Sequence, residues 1–248
     1  MTILKSSEEV AIMRRAGRVV AAVLERLREE VKPGIRTRQL DSVAANELKK
    51  HGARASFKGY RGFPACLCVS VNDEIVHGIP GERRLSEGDI VSLDFGAMVD
   101  GFHGDSAMTV GVGRISSKAQ ELLATTEAAL MGGIRAARCG AHLGDVSAAI
   151  QEYVETRGFS VIREYSGHGV GRDLHEDPLV PNFGFRGEGP VLQEGMTIAL
   201  EPMVATGHYR TRLGENQWTV LTDDGSLSAH FEHTIAVSDD GAEILTLL

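Results

Sequence analysis

The segment LSEGDIVSLD, Leu85 to Asp94, recurs as LQEGMTIALE, Leu192 to Glu201. Leu, Glu, Gly and a second Leu are identical at a constant offset of 107, and a carboxylate closes each copy. Upstream, Gly34, Leu40, Ala44, Leu48 and Gly52 match Gly140, Val146, Ile150, Val154 and Gly158 at an offset of 106, which is helix spacing closed by glycine. Downstream, HGDSAMTV (His103 to Val110) lines up with HFEHTIAV (His230 to Val237) at an offset of 127, so that Asp105 stands opposite Glu232. The second half therefore carries twenty extra residues before that last strand. Helix and strand grammar recurs in any chain of this kind, but grammar alone does not require an acid at the same strand position each time. Three matches in sequence order read as an internal duplication. The halves are about 1–112 and 113–248, within a single domain spanning 1–248.

Each half reads as helices followed by strands. Ser6 and Glu9 form a capping box, and Val10, Met13, Gly17, Val20, Leu24, Leu27 and Val31 then repeat at three and four until Lys32-Pro33-Gly34 stops the pattern. A shorter helix runs from Thr37 to about His51. The long and short pair recurs from Ser117, boxed with Gln120, to about Arg138 and from Asp145 to about Arg157. β-Branched or alternating runs follow at Ala65 to Val71, Asp89 to Phe95, His103 to Gly111, Ser160 to Tyr165, Met196 to Glu201, Trp218 to Leu221 and Ala229 to Val237. Helices then strands predict an α+β fold, mostly antiparallel sheet with helices packed on one face and two halves related by a pseudo-twofold axis.

Composition narrows the function. A chain of 248 residues with 42% hydrophobic and 24% charged content is globular, with enough length to bury a substantial core. No stretch reaches eighteen apolar residues, and Glu8, Glu9, Arg14 and Arg15 interrupt the opening segment where a secretory signal would run uninterrupted. No membrane span is expected, and the cytoplasm is the expected compartment. The net charge of -8 disfavours direct nucleic-acid binding. Cys66, Cys68 and Cys139 are odd in number and lack zinc-knuckle spacing, so they are expected to be buried thiols in a reducing compartment. Asp94-Phe95-Gly96 spells a kinase motif without its partner motifs. There is no H-E-x-x-H, G-x-S-x-G or P-loop.

The repeat makes Asp94 and Glu201 symmetry mates, and likewise Asp105 and Glu232. Two unit charges 4 Å apart at an effective dielectric of 20 repel by roughly 4 kcal/mol. Four converging acids thus need protons or cations, and divalent metal is the simplest answer. One equivalent pair can be shared by two ions while the other gives a terminal ligand to each. His168, in SGHGVGR, has no counterpart in the first half, and Gly167 and Gly169 leave its imidazole uncovered. His77, in VHGIP, and His175, in LHEDP, sit among Gly, Pro and acids as general acid or base groups near such a centre would. Oxygen donors with one imidazole suit manganese, iron, cobalt or zinc.

Taken in order, VNDEIVHGIP, SLDFGAMVDGFHGDSAMTV, GHGVGRDLHEDP, ALEPMV and FEHTIAV resemble methionine aminopeptidases of the short bacterial type I form, and the resemblance spans essentially the whole chain. It implies the pita-bread (creatinase/aminopeptidase) fold and removal of the initiator methionine from nascent polypeptides when the second residue is small. It also implies two divalent ions shared by Asp105 and Glu232, with Asp94 on one and His168 and Glu201 on the other. Glu201 would be the proton shuttle. His77 and His175 would contact substrate and steady the tetrahedral intermediate. Tyr60, Phe63, Cys68, Leu174 and Trp218 would line the methionine pocket, with Leu174 standing where the family more often has Phe. Some members hold a monovalent cation, which would lie here near Asn72 and Ser228. Partners implied are peptides with N-terminal Met and nascent chains, with weak or absent ribosome association, and the chain is expected to be a monomer. With no zinc-binding or proline-rich extension before the first helix and no large insertion in the second half, the type II and extended type I forms are not expected. The alternatives are an Xaa-Pro dipeptidase of the same fold, which normally adds an N-terminal domain, and a non-catalytic binding protein, which would have lost metal ligands.

Overall fold

The computed structural model describes residues 2–248. The first half contains helices α1 (Ser7–Glu30) and α2 (Thr37–Lys50), then strands β1 (Arg54–Ala55), β2 (Leu67–Val71), β3 (Glu74–Val76), β4 (Ile90–Val99) and β5 (Phe102–Gly111). The second half contains helices α3 (Ser117–Ala136) and α4 (Leu143–Glu155) and strands β6 (Ser160–Val161), β7 (Gly167–Gly169), β8 (Glu176–Val180), β9 (Thr197–Leu200), β10 (Met203–Ala205), β11 (Thr211–Leu213), β12 (Val220–Thr222), β13 (Ser228–His230), β14 (Glu232–Ser238) and β15 (Gly241–Ile244).

Helix α1 opens with the expected reciprocal cap, in which Glu9 N donates to Ser6 Oγ at 3.3 Å and Ser6 N donates to Glu9 Oε2 at 3.0 Å. In α3 the cap is Ser116 rather than Ser117, with Ala119 N donating to Ser116 Oγ at 3.1 Å. Two adjacent serines compete there, and only Ser116 has the extended backbone that aims its hydroxyl back at the first turn. Helix α4 starts at Leu143, two residues before the predicted start. Asp145 acts from inside its first turn, accepting His142 N at 2.8 Å.

The main sheet has nine strands in the order β1-β4-β5-β14-β9-β7-β8, with β2 also paired to β4 and β15 to β14. Every pairing in it is antiparallel. Its central seam joins β5 to β14, so β4 and β9 flank the seam from opposite sides. Across it, Asp105 N donates to Thr234 Oγ1 at 3.0 Å, and the same hydroxyl donates to the Asp105 carbonyl at 2.8 Å.

Helices α1 and α2 bury Leu24, Leu27, Leu40 and Leu48 against Leu67, Val91 and Leu93 of the first half. Helices α3 and α4 bury Leu122, Leu130, Val146 and Ile150 against Ile198, Leu200 and Ile235 of the second. Each such fully buried aliphatic side chain contributes about 1.5–3 kcal/mol relative to exposure. Leu24 and Leu130 meet Ser106, Met108 and His233 in one groove, so the helices cover that face of the seam. Asp105 alternates with those residues along β5 and faces the other way.

The predicted single strand from Ala229 to Val237 is two strands parted at Phe231. Strand β13 pairs with β10 in a small sheet with β6, while β14 enters the main sheet. The chain makes the same crossing at Pro202, between β9 and β10. Pro202 has no N–H to extend the main ladder, and its carbonyl accepts Phe231 N at 3.4 Å. The run Ser160 to Tyr165 forms only the two residues of β6. The extra residues of the second half build β11 and β12, which join β3 in a third sheet and bring Trp218 with them.

Candidate metal centre and adjoining pocket

Strand register brings the acids together. Asp94 of β4 and Glu232 of β14 both pair with Ala107 of β5, and Asp105 lies two residues from Ala107, so the three carboxylates share one face. Glu201 follows β9 directly, with its carbonyl held by Asn182 Nδ2 at 3.0 Å. His168 of β7 pairs with Ala199 of β9. Its flanking glycines are demanded by close approach: a β-carbon on Gly167 would lie 2.2 Å from the Ala199 carbonyl oxygen, and one on Gly169 would lie 2.2 Å from that of Asp177.

Donor atoms of Asp105, His168 and Glu232 all lie within 4.8 Å of one another, and the three residues are buried. Glu201 Oε1 is 3.5 Å from His168 Nε2. His168 Nδ1 lies 2.8 Å from the Gly169 carbonyl and donates to it, which leaves Nε2 with its lone pair facing the acids. Burial raises the pKa of Asp94 to about 7, with Glu201 adding to the effect, and burial raises Glu201 to about 7 against the opposing pull of His168. Asp105 and Glu232 are pushed well above the carboxylate range by burial first and by the neighbouring acids second. Asp94 Oδ1, Asp105 Oδ1 and Glu232 Oε1 are buried without a hydrogen-bond partner among the described residues. Unpartnered buried carboxylate oxygens are costly, and a divalent cation supplies the missing partner. The oxygen-rich donor set with one imidazole fits such an ion.

Tyr60, Phe63, Cys68, His77, Asp94, Asp105, His168, Leu174, His175, Glu201, Trp218 and Glu232 line one cavity of about 140 Å³. All the residues singled out in the sequence as ligands or pocket wall thus meet in one place. At the apolar end, Phe57, Phe63, Cys68 and Leu174 pack with Tyr60 and Trp218. The rings of Phe63 and Trp218 meet edge to face at 5.2 Å. Burial pushes the Cys68 thiol pKa up, with Asp94 adding to it, so the sulfur stays uncharged. His175 stacks on Tyr60 and its Nδ1 lies 2.9 Å from Tyr60 Oη, while its ring centroid is 4.2 Å from that of His168. His77 takes a left-handed backbone, φ 59°, where the chain turns from β3 into the cavity. Burial lowers His77 to about 4, and burial with His168 and Arg61 nearby lowers His175 to about 3, so both are neutral near pH 7. Away from the cavity, Asn72 and Ser228 are in contact, Ser228 N donating to the Asn72 carbonyl at 2.8 Å.

Three residues were not anticipated. Phe57 and Arg61 also line the cavity. His230 is buried with Nε2 3.6 Å from Glu201 and 4.0 Å from Glu232, and neither of its ring nitrogens has a hydrogen-bond partner among the described residues. The spacing His230-Phe231-Glu232 was the available signal, since residues two apart in extended chain share a face.

Residues 11–239 match metallopeptidase family M24. A methionine aminopeptidase of Clostridium perfringens (strain 13 / Type A) is 51% identical over 248 residues, covering 100% of both chains. The crystal structure of methionine aminopeptidase from Thermotoga maritima matches with a TM-score of 0.99 and 46% identity, over 100% of each chain. The prolidase from Pyrococcus furiosus matches with a TM-score of 0.82 at 24% identity, covering 100% of this chain and 66% of that one, a likeness of fold alone.

Proposed function

The chain belongs to metallopeptidase family M24, and from that premise we propose that it is a metal-dependent methionyl aminopeptidase, removing the N-terminal methionine of polypeptides whose second residue is small. The observation that carries this reading is the single cavity with four acids and a histidine at one end and a soft apolar wall at the other. We read the whole chain, 1–248, as one catalytic domain made of two duplicated halves. The mirrored strand order about the β5–β14 seam supports this.

In this reading Asp105 and Glu232 would serve two divalent ions, drawn from cobalt, manganese, iron or zinc, with Asp94 assigned to one and His168 and Glu201 to the other. When bound, such ions lower the pKa of water toward about 7 and polarise a carbonyl. Glu201 moves the proton: its carboxylate accepts one from the attacking water and returns it to the leaving amine nitrogen. His77 and His175, being neutral, present ring N–H groups to the substrate carbonyl and to the oxygen that gains charge as water adds. Tyr60 holds His175 in place. Phe63, Cys68, Leu174 and Trp218 enclose the methionine side chain, whose thioether suits a polarisable apolar wall. A monovalent cation at Asn72 and Ser228, action on nascent chains as a cytoplasmic monomer, and weak or absent ribosome association complete the reading. No helix among the described residues is long and apolar enough to cross a membrane.

The test uses protein stripped with chelator and reloaded with manganese, cobalt or ferrous iron, followed by mass spectrometry on Met-Ala-Ser, Met-Lys-Ser and Ala-Pro. Metal-dependent loss of Met from Met-Ala-Ser alone is the expected result. Cleavage of Ala-Pro would favour the dipeptidase, and no cleavage with any metal would overturn the enzymatic reading.

A further inference from the structure

Residues 170–175, between β7 and β8, carry Leu174 and His175, and what holds them lies outside the cavity. Glu176, next in the chain, is not part of the cavity wall. Its Oε2 lies 2.5 Å from Lys5 Nζ, with the two side chains 5% and 2% exposed. Its Oε1 accepts Asp173 N at 3.2 Å and so closes the loop on itself. Lys5 is fixed in turn: Nζ donates to the Ile3 carbonyl at 2.9 Å, and its backbone N donates to the Gly195 carbonyl at 2.8 Å, in the turn that feeds β9. A β-carbon on Gly171 would lie 2.3 Å from Lys5 Cε and 2.6 Å from Glu176 Oε1, so the ion pair fills the space a side chain would take. From the other side, His103 N donates to the Gly171 carbonyl at 2.8 Å.

The other lysine and arginine pairs among the described residues are more exposed, and such pairs contribute little. A buried pair is a poor source of net stability, because desolvating both charges offsets their attraction, but losing one partner strands the other. What it does well is impose one geometry.

We propose that Lys5 is a positioning residue: through Glu176 it fixes the loop that presents His175 and Leu174 to the substrate, while touching neither the substrate nor the cavity. This rests on the reading of His175 as a substrate contact.

The test is a double-mutant cycle between Lys5→Met and His175→Ala in manganese-loaded enzyme, with Lys5→Arg as the conservative variant. Turnover of Met-Ala-Ser, KM, bound manganese and thermal denaturation are measured for each. Misplacing a substrate-orienting group by about 1 Å can cost on the order of 100-fold, so Lys5→Met should lose about 10-fold or more in kcat, with manganese content unchanged. Lys5→Arg should recover most of that loss. In kcat the double variant should be no slower than His175→Ala to within about 2-fold, because the His175 contact can be lost only once, while displacement of Leu174 would appear in KM. Losses that multiply in the double variant, or a folded Lys5→Met at wild-type rate, would overturn the proposal. Should Lys5→Met not fold, Gly171→Ala, which puts a methyl group into the ion pair, replaces it under the same criteria. A wild-type enzyme that releases no methionine would instead defeat the functional reading. A His175→Ala variant at full rate would defeat the role given to His175. The Lys5 proposal falls with either.

Discussion

The hairpin β4–β5 and its counterpart in the other half, β9 with β14, hold carboxylates at matching places and differ in almost everything between them. In the first, ten residue pairs run in unbroken register from Ile90 opposite Gly111 to Val99 opposite Phe102. In the second, the chain leaves the main sheet after Glu201 and returns only at Glu232, having built β10 to β13 on the way. Charge divides unequally too: residues 1–112 hold 16 basic and 15 acidic side chains, residues 113–248 hold 10 and 19. Where the halves agree they supply acids suited to cations. Where they disagree they supply His168 and Trp218, the parts that make the cavity one-sided. In the proposed reading the four acidic ligands follow the repeat, whereas the imidazole ligand His168 and the pocket residue Trp218 come from where it breaks down.

The largest expected effect strikes the matched part. Glu201→Gln should fold normally, as circular dichroism would show, and lose about 10³- to 10⁴-fold in kcat, the upper range for a general acid–base group. Turnover near wild type would remove Glu201 from both its roles. On the unmatched side, His77→Ala should lower kcat by about 100-fold while bound metal, counted by elemental analysis, stays unchanged. Metal loss there would move His77 among the ligands and weaken the contrast. Chelation tests whether the clustered acids need cations at all. A ligand present at a hundred times its dissociation constant stabilises by about 2.7 kcal/mol, so the stripped protein should melt several degrees lower in calorimetry. Equal melting temperatures would mean that protons alone suffice. The smallest effect belongs to Leu174→Phe, which should shift the kcat/KM ratio for Met over Leu peptides by about tenfold or less. An unchanged ratio would place Leu174 outside the discriminating wall.

Much of this was legible in the sequence because strand periodicity is strict. Acids at matching places in matching strands, Asp94 and Glu201 closing theirs and Asp105 and Glu232 near the start of theirs, could be paired from the sequence. Helix α1 was readable from Ser6 and Glu9 because its cap is local. Strand β7 was not readable: Gly167-His168-Gly169 has no apolar pattern, and only its neighbours β8 and β9 make it a strand. His230 was within reach of the same periodicity, two residues before Glu232, but its closeness to Glu201 depends on the chain crossing between sheets at Phe231. Nothing in the local sequence marks Lys5, since its partner lies 171 residues away. What sequence patterns miss are groups whose state depends on the far end of the chain.

The β5–β14 seam also has a kinetic meaning. Asp105 and Thr234 bond across 129 residues, a contact of high order that closes slowly compared with the local hairpin β4–β5. A chain folding in order of synthesis would complete that hairpin early and hold Asp94 and Asp105 as an open, hydrated half-site. Only when the seam closes does Glu232 arrive and water leave. On the proposed ligand set, tight uptake of metal would come last, and its time course during refolding would report when the seam closes.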